Sequence, residues 1–375
     1  MLSEEPAPLV SLPGEMDAVA SGAVTLSDVA LACGVHKSTV HRALSGADER
    51  GQMNRATAER VRAMAAQMRY DPSRHEGARR LSLRKSGVVP VNRLVALFFP
   101  PDFPEIAYFL RLFNGVIGGL REHGFDLLAT TIDENSIVLP TAIGRGDVDA
   151  CAVYAHRGPT ERLASELRGV AAFGERPLVS LLRDVPGLPS VTAQERDGAR
   201  AAMAHLLELG HRRVLHFFNI GDDYYARERR SGLEDAVLAA GNDPQRVLVG
   251  TELELSAPAG QTLGVALERA LDAHPDLTAL VLPNDGFAGE ARRALAARGL
   301  SVPGDVSLVG FDDAEPLLDG AGTNVLTTVR IPLEEVGREA ARLLVARVTG
   351  ADAPELAPLP TELIVRASTA PPKVR

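Results

Sequence analysis

The chain has 375 residues, 45% of them hydrophobic, nine net negative charges and two cysteines. That length supports two or three domains with their own cores, and no run approaches the ~18 apolar residues that cross a bilayer. Cys33 and Cys151 lie far apart and join no Cys-x-x-Cys pair, which argues against a disulfide framework or a zinc site and for two small buried side chains. The acidic start, MLSEEPAPLVSLPGEMD, lacks the basic-then-apolar order of a secretion signal, so a cytoplasmic protein without a membrane partner is expected.

Charge is unevenly spread. Residues 1–23 carry four acids and no base, residues 24–87 carry twelve Lys and Arg against six Asp and Glu, and the rest carries 28 bases against 39 acids. A basic module therefore precedes an acidic body. Clustered positive charge on a small unit is the footprint of a partner with a phosphate backbone, because neutralised phosphates release condensed counterions.

Residues 1–23, with three prolines and no apolar period, read as a disordered lead-in. A first helix starts at Thr25, where Thr25 and Asp28 form a capping-box pattern, and stops at Cys33-Gly34, where glycine can adopt the positive φ of a tight turn. Val40, Ala43 and Leu44 are spaced to face inward on a second helix, leaving Lys37, Ser38, His41 and Arg42 outward. Met53 and Asn54 read as a hydrophobic staple and N-cap for a third helix, with Val61, Met64, Ala65 and Met68 as its inner stripe. A short first helix, a glycine turn and an outward second helix are the parts of a helix-turn-helix, expected over 24–72. The basic stretch 73–90 reads as a linker. From Asn92, strand-like runs such as RLVALFF and RVLHFFN alternate with amphipathic stretches. This pattern predicts βαβ units and parallel sheets covered by helices, divided into two α/β lobes over 91–375.

Three blocks carry a further resemblance: VTLSDVALACGVHKSTVHRALSG, HLLELGHRRVLHFF, and ARRALAARGLSVPGDVSLVGFDD followed by LTTVRIP. In them, and most specifically in Gly299, Pro303, Asp305, Gly310, Phe311 and Asp312, the chain resembles the LacI-GalR family of bacterial transcription regulators over about residues 24–370. The resemblance implies a DNA-binding headpiece, a hinge and a body like periplasmic sugar-binding proteins, crossed three times by the chain. The first lobe would take about 91–187 and 314–348, and the second about 188–313 and 349–375. It also implies a homodimer, or a tetramer of paired dimers, reading a near-palindromic operator, and repression controlled by a small molecule between the lobes.

The family's base-reading positions fall here on Lys37, Ser38 and Arg42, with Thr39 on the same helix. Arg42 can be bidentate to guanine, Lys37 can reach the same acceptors, and Ser38 can donate or accept. His36 and His41 stand where serine is usual; a phosphate contact by either would strengthen binding below about pH 6.5. The hinge departs from the family pattern. Ser73 replaces the usual Asn after Tyr70-Asp71-Pro72, and Ala78-Arg79-Arg80-Leu81 arrives two residues late, which leaves Leu81, then Leu83, as the minor-groove wedge.

In the body, Arg229 matches the family's ligand-clamping arginine and Asp285 its ligand-binding aspartate, with Asn284 beside it. A donor fork facing an acceptor grips sugar hydroxyls, and equally the polar edges of a purine; a carbohydrate is the first expectation. Phe103, Tyr108 and Phe109 are an apolar wall or core. Gln194-Glu195 stands where many members have Asp-Asn. A solute-binding receptor and an α/β enzyme are the rival readings. Against catalysis, the chain has no Gly-x-Gly-x-x-Gly after a strand, P-loop, His-Glu-x-x-His or Gly-x-Ser-x-Gly, so no cofactor, metal or catalytic residue is expected. His211, in LGHRRV, reads as a cap or structural contact.

Overall fold

The computed structural model describes residues 24–44, 53–68, 70, 91–101, 106–132, 137–154, 160–219, 224–253 and 263–373. The lead-in 1–23, the linker 73–90 with Leu81 and Leu83, and Phe103 lie outside the described residues. The chain divides into two units, Met1–Pro90 and Val91–Arg375.

The first unit holds helices α1 (Leu26–Cys33), α2 (Lys37–Leu44) and α3 (Arg55–Gln67). Thr25 and Asp28 complete a reciprocal capping box, with Thr25 N donating to Asp28 Oδ2 at 2.7 Å and Asp28 N to Thr25 Oγ1 at 3.3 Å. Gly34, at φ +62°, reverses the chain after α1, and Val35 N donates back to Ala30 O at 3.0 Å. Asn54 Oδ1 caps α3 by accepting from Ala56 N at 2.9 Å. The small core comprises Val29, Ala30, Val40, Ala43, Ala58, Val61 and Ala65. Leu44, expected inward, is exposed, because Ala43 takes the inward position at the end of α2.

The second unit opens with a five-stranded sheet built from β1 (Leu94–Phe99), β2 (Asp126–Thr131), β3 (Ala150–Tyr154), β4 (Leu178–Leu181) and β5 (Ser190–Val191). Its order is β2-β1-β3-β4-β5 and every pairing is parallel. β1 is apolar at all six positions because both faces are covered. Val95 and Leu97 join the core shared with α4 (Ile106–Glu122), while Ala96 and Phe98 pack with α5 (Thr141–Gly144) and α6 (Thr160–Gly169).

After α7 (Glu195–Glu208) comes β6 (Val214–Asn219), then α8 (Tyr224–Ala239), α9 (Pro244–Val247), β7 (Leu248–Leu253), α10 (Leu263–Ala273), β8 (Ala279–Val281), a 3-10 turn (Asp285–Phe287), α11 (Ala288–Ala297) and β9 (Ser307–Asp312). The chain ends with β10 (Thr327–Arg330), α12 (Leu333–Thr349) and β11 (Glu362–Ile364). The second sheet runs β11-β10-β9-β8-β6-β7, parallel except for β11, which adds an antiparallel edge.

The expected lobe boundaries need two corrections. Ser190 and Val191 still pair in the first sheet, and Thr327–Arg330 pairs with β9 in the second. Of 314–348, only the helix α12 joins the first lobe, where it lies against α4. The two helices cross at glycines: a Cβ on Gly115 would overlap the Glu334 carbonyl, and one on Gly337 the Leu112 carbonyl. Among the described residues no helix is long and apolar enough to cross a membrane.

Candidate functional site: a helix face and a cleft between strand ends

In the first unit, α2 presents Lys37, Ser38, His41 and Arg42 as exposed residues, with Thr39 half-buried. His36 lies just before the helix and is used locally. Its Nδ1 accepts from Ser38 N at 3.3 Å and lies 2.8 Å from Ser38 Oγ, standing in for the serine or aspartate of an ordinary N-cap. This geometry assigns the ring proton to Nε2.

In the second unit, each sheet changes the direction in which its strand order grows beside its first strand: between β1 and β3, and between β6 and β8. Crevices open beyond the carboxyl ends of strands at such points. Arg229, on the second turn of α8 after β6, lies at the second sheet's point. Its Nη1 donates to Pro283 O, just beyond β8, at 2.6 Å, and its Nε to Glu195 Oε2 at 2.7 Å. Its Nη2 is 3.5 Å from Asp312 Oδ1 at the end of β9. The guanidinium lies 3.7 Å from the centre of the Phe311 ring and 5.9 Å from that of Tyr225. Burial disfavours its charge, but the carboxylates of Glu195 and Asp312 outweigh that and raise its pKa.

Tyr108 approaches from the other lobe, on the first turn of α4. Its ring is 6.2 Å from that of Tyr154 at the end of β3. Its phenol is held well above the ordinary range by burial, then by the charge of Asp312, by Tyr225 and by Glu195. Phe109 stacks between Phe99, at 4.8 Å, and Phe113, at 5.5 Å, and forms part of the apolar packing at this end of the sheet.

Asp285 is placed differently from the expected acceptor facing Arg229. It is buried, Oδ1 accepts from Thr328 Oγ1 at 2.6 Å and Oδ2 from Ala314 N at 2.9 Å, and a Cβ on Gly310 would overlap Oδ1. Burial pushes its carboxyl up to about 7 against those hydrogen bonds. It ties β9 and β10 to the turn after β8, and the carboxylates facing Arg229 are Glu195 and Asp312. Asn284 is buried beside Pro283. Asp312, which the sequence marks only as part of the family pattern, faces Arg229 here. Its backbone, at φ +99° and followed by Asp313 at +52°, is the local signal, since non-glycine residues rarely adopt positive φ.

His211 lies at the opposite end of β6, buried between Thr278 Oγ1 at 2.9 Å, Ser307 Oγ at 3.1 Å and Ala370 O at 3.0 Å. It is a structural contact, and desolvation lowers its pKa. Cys151 is buried in β3, whereas Cys33 is only half-buried.

A helix-turn-helix joined to a bilobal body with a buried polar cleft defines a DNA-binding regulator with a ligand-binding domain. Residues 25–73 match the family described as bacterial regulatory proteins, lacI family, and residues 203–369 match the periplasmic binding protein-like domain. The regulator CelR of Thermobifida fusca is 32% identical over 365 residues, covering 92% of this chain and 98% of CelR. The sucrose operon repressor of Escherichia coli is 31% identical over 206 residues, covering 52% of this chain and 59% of that protein. A solved CelR–cellobiose complex superimposes with a TM-score of 0.58 at 29% identity, over 92% of this chain and 99% of that one. The chain belongs to the LacI family of bacterial transcription regulators.

Proposed function

We propose that this regulator is a cytoplasmic, non-catalytic repressor. A homodimer holds a near-palindromic operator through Lys37, Ser38 and Arg42, and a sugar-class effector bound between the lobes changes operator affinity. The observation that carries this reading is the half-buried Arg229 fork at the strand ends. Its donors are fixed by Pro283 and Glu195, and Tyr108 of the other lobe bears on the same group of charges. A fork held among carboxylates and aromatic rings suits the adjacent hydroxyls and apolar face of a pyranose. The cellobiose complex of CelR supports the same class. Coupling follows from differential affinity: the sugar favours one lobe arrangement, and the dimer presents its headpieces accordingly. Linkages of this kind are worth about 1–3 kcal/mol.

The test is selection of DNA fragments by the full chain, followed by mobility shift with and without cellobiose, sucrose and glucose. The expected result is one recurrent inverted sequence, bound about a thousandfold or more above scrambled duplex at physiological salt, with at least one sugar moving that affinity about tenfold. No duplex preference under any of these conditions would falsify the proposal.

A further inference from the structure

Glu195 opens α7 immediately after the first sheet ends, and its side chain is 1% exposed. Oε2 accepts from Arg229, but Oε1 has no hydrogen-bond partner among the described residues. A buried carboxylate oxygen without a donor is costly, and native proteins complete nearly all such groups. Arg229, Glu195 and Asp312 together place one cation between two carboxylates, at side-chain exposures of 20%, 1% and 7%. These three side chains therefore sum to one negative charge, and Glu195 Oε1 is an acceptor with no donor among the described residues.

Resting on the sugar-effector reading, we infer that Glu195 is a ligand-contacting residue that takes a hydroxyl donor from an uncharged sugar and turns away sugars bearing a phosphate or carboxylate. Arg229 alone would attract such anions. With Glu195 bonded to its Nε and Asp312 beside its Nη2, the fork keeps its direction while its field is cancelled at close range. Gln at this position would still accept from Arg229, but its amide nitrogen would stand where Oε1 stands now. An acceptor would become a donor and one negative charge would be lost.

The experiment is calorimetric titration of the full chain, wild type and Glu195→Gln, with matched sets: cellobiose and cellobionic acid; sucrose and sucrose 6-phosphate; glucose, gluconate and glucose 6-phosphate. In the wild type, the neutral member of the binding set is expected to bind about tenfold or more tightly than its acidic partners. Glu195→Gln should shrink that ratio about tenfold, by weakening the neutral sugar and admitting the acid. Glu195→Asp keeps the charge and should keep the preference even where affinity drops, so the inference stays testable if the Gln variant melts too low to titrate. An acidic sugar binding the wild type as tightly as its neutral partner overturns the inference and leaves the sugar reading standing. So does an unchanged ratio in a folded Gln variant. Absence of heat from all three sets overturns both.

Discussion

Arg229 and Asp285 are both recognisable in the sequence as polar residues past strands, yet their surroundings differ. Arg229 follows β6 on a helix that points its fork back across the strand ends. Asp285 begins a turn that folds beneath Gly310, where only a missing Cβ leaves room for its carboxylate. A linear sequence does not reveal which carboxylate lies nearest a given arginine, so Glu195 registered only as a departure from the family pattern. The burial of Asp285 has a consequence for pH. An unfolded aspartate titrates near 4, whereas this one is lifted to about 7, so the folded chain holds the proton to higher pH. The contribution is fully present below about pH 4 and is lost as pH rises through about 7. Urea midpoints measured from pH 4.5 to 8 should therefore fall more steeply for wild type than for Asp285→Asn; parallel profiles would count against it.

Elements were easier to read than their partners. The apolar run of β1 and the period of α2 follow from burial on two faces and on one stripe, so composition reveals them. Which sheet β10 joins depends on a register with β9 that adjacency in sequence does not encode, and LTTVRIP reads equally well in either lobe. The crossing of α4 and α12 was likewise invisible, because Gly115 and Gly337 look like helix weakeners until the helices are seen to touch. Alanine ordinarily stabilises a helix by about 1 kcal/mol over glycine. Here its methyl would meet the Leu112 carbonyl, so Gly337→Ala is expected to destabilise the body by about 1–3 kcal/mol in guanidinium titrations. A gain in midpoint would contradict the close crossing.

For the whole molecule, charge segregation is the property most plainly legible from sequence. The basic segment 24–87 precedes an acidic body, and the acidic part adds no unspecific attraction to nucleic acid. Operator affinity should fall with log salt at about 0.9 per phosphate contacted. Arg42→Ala should weaken the selected operator by about 1–3 kcal/mol, with most of its effect confined to one base position. Mobility shifts across a salt series check both; equal losses on operator and on random duplex would mean that Arg42 touches only the backbone.

The paired left-handed peptides at Asp312 and Asp313 bring distant parts of this molecule to one place. Asp312 turns toward Arg229. Asp313 accepts from Arg330 and Arg366, at 2.9 and 2.7 Å, and its carbonyl accepts from Arg111 of the opposite lobe at 2.9 Å. The charge beside Arg229 and the contact between the lobes thus share a single bend in the main chain. A substitution at Asp312 is therefore expected to disturb the Arg111 contact as well as the charge beside Arg229, so ligand affinity and ligand-free operator affinity should change together.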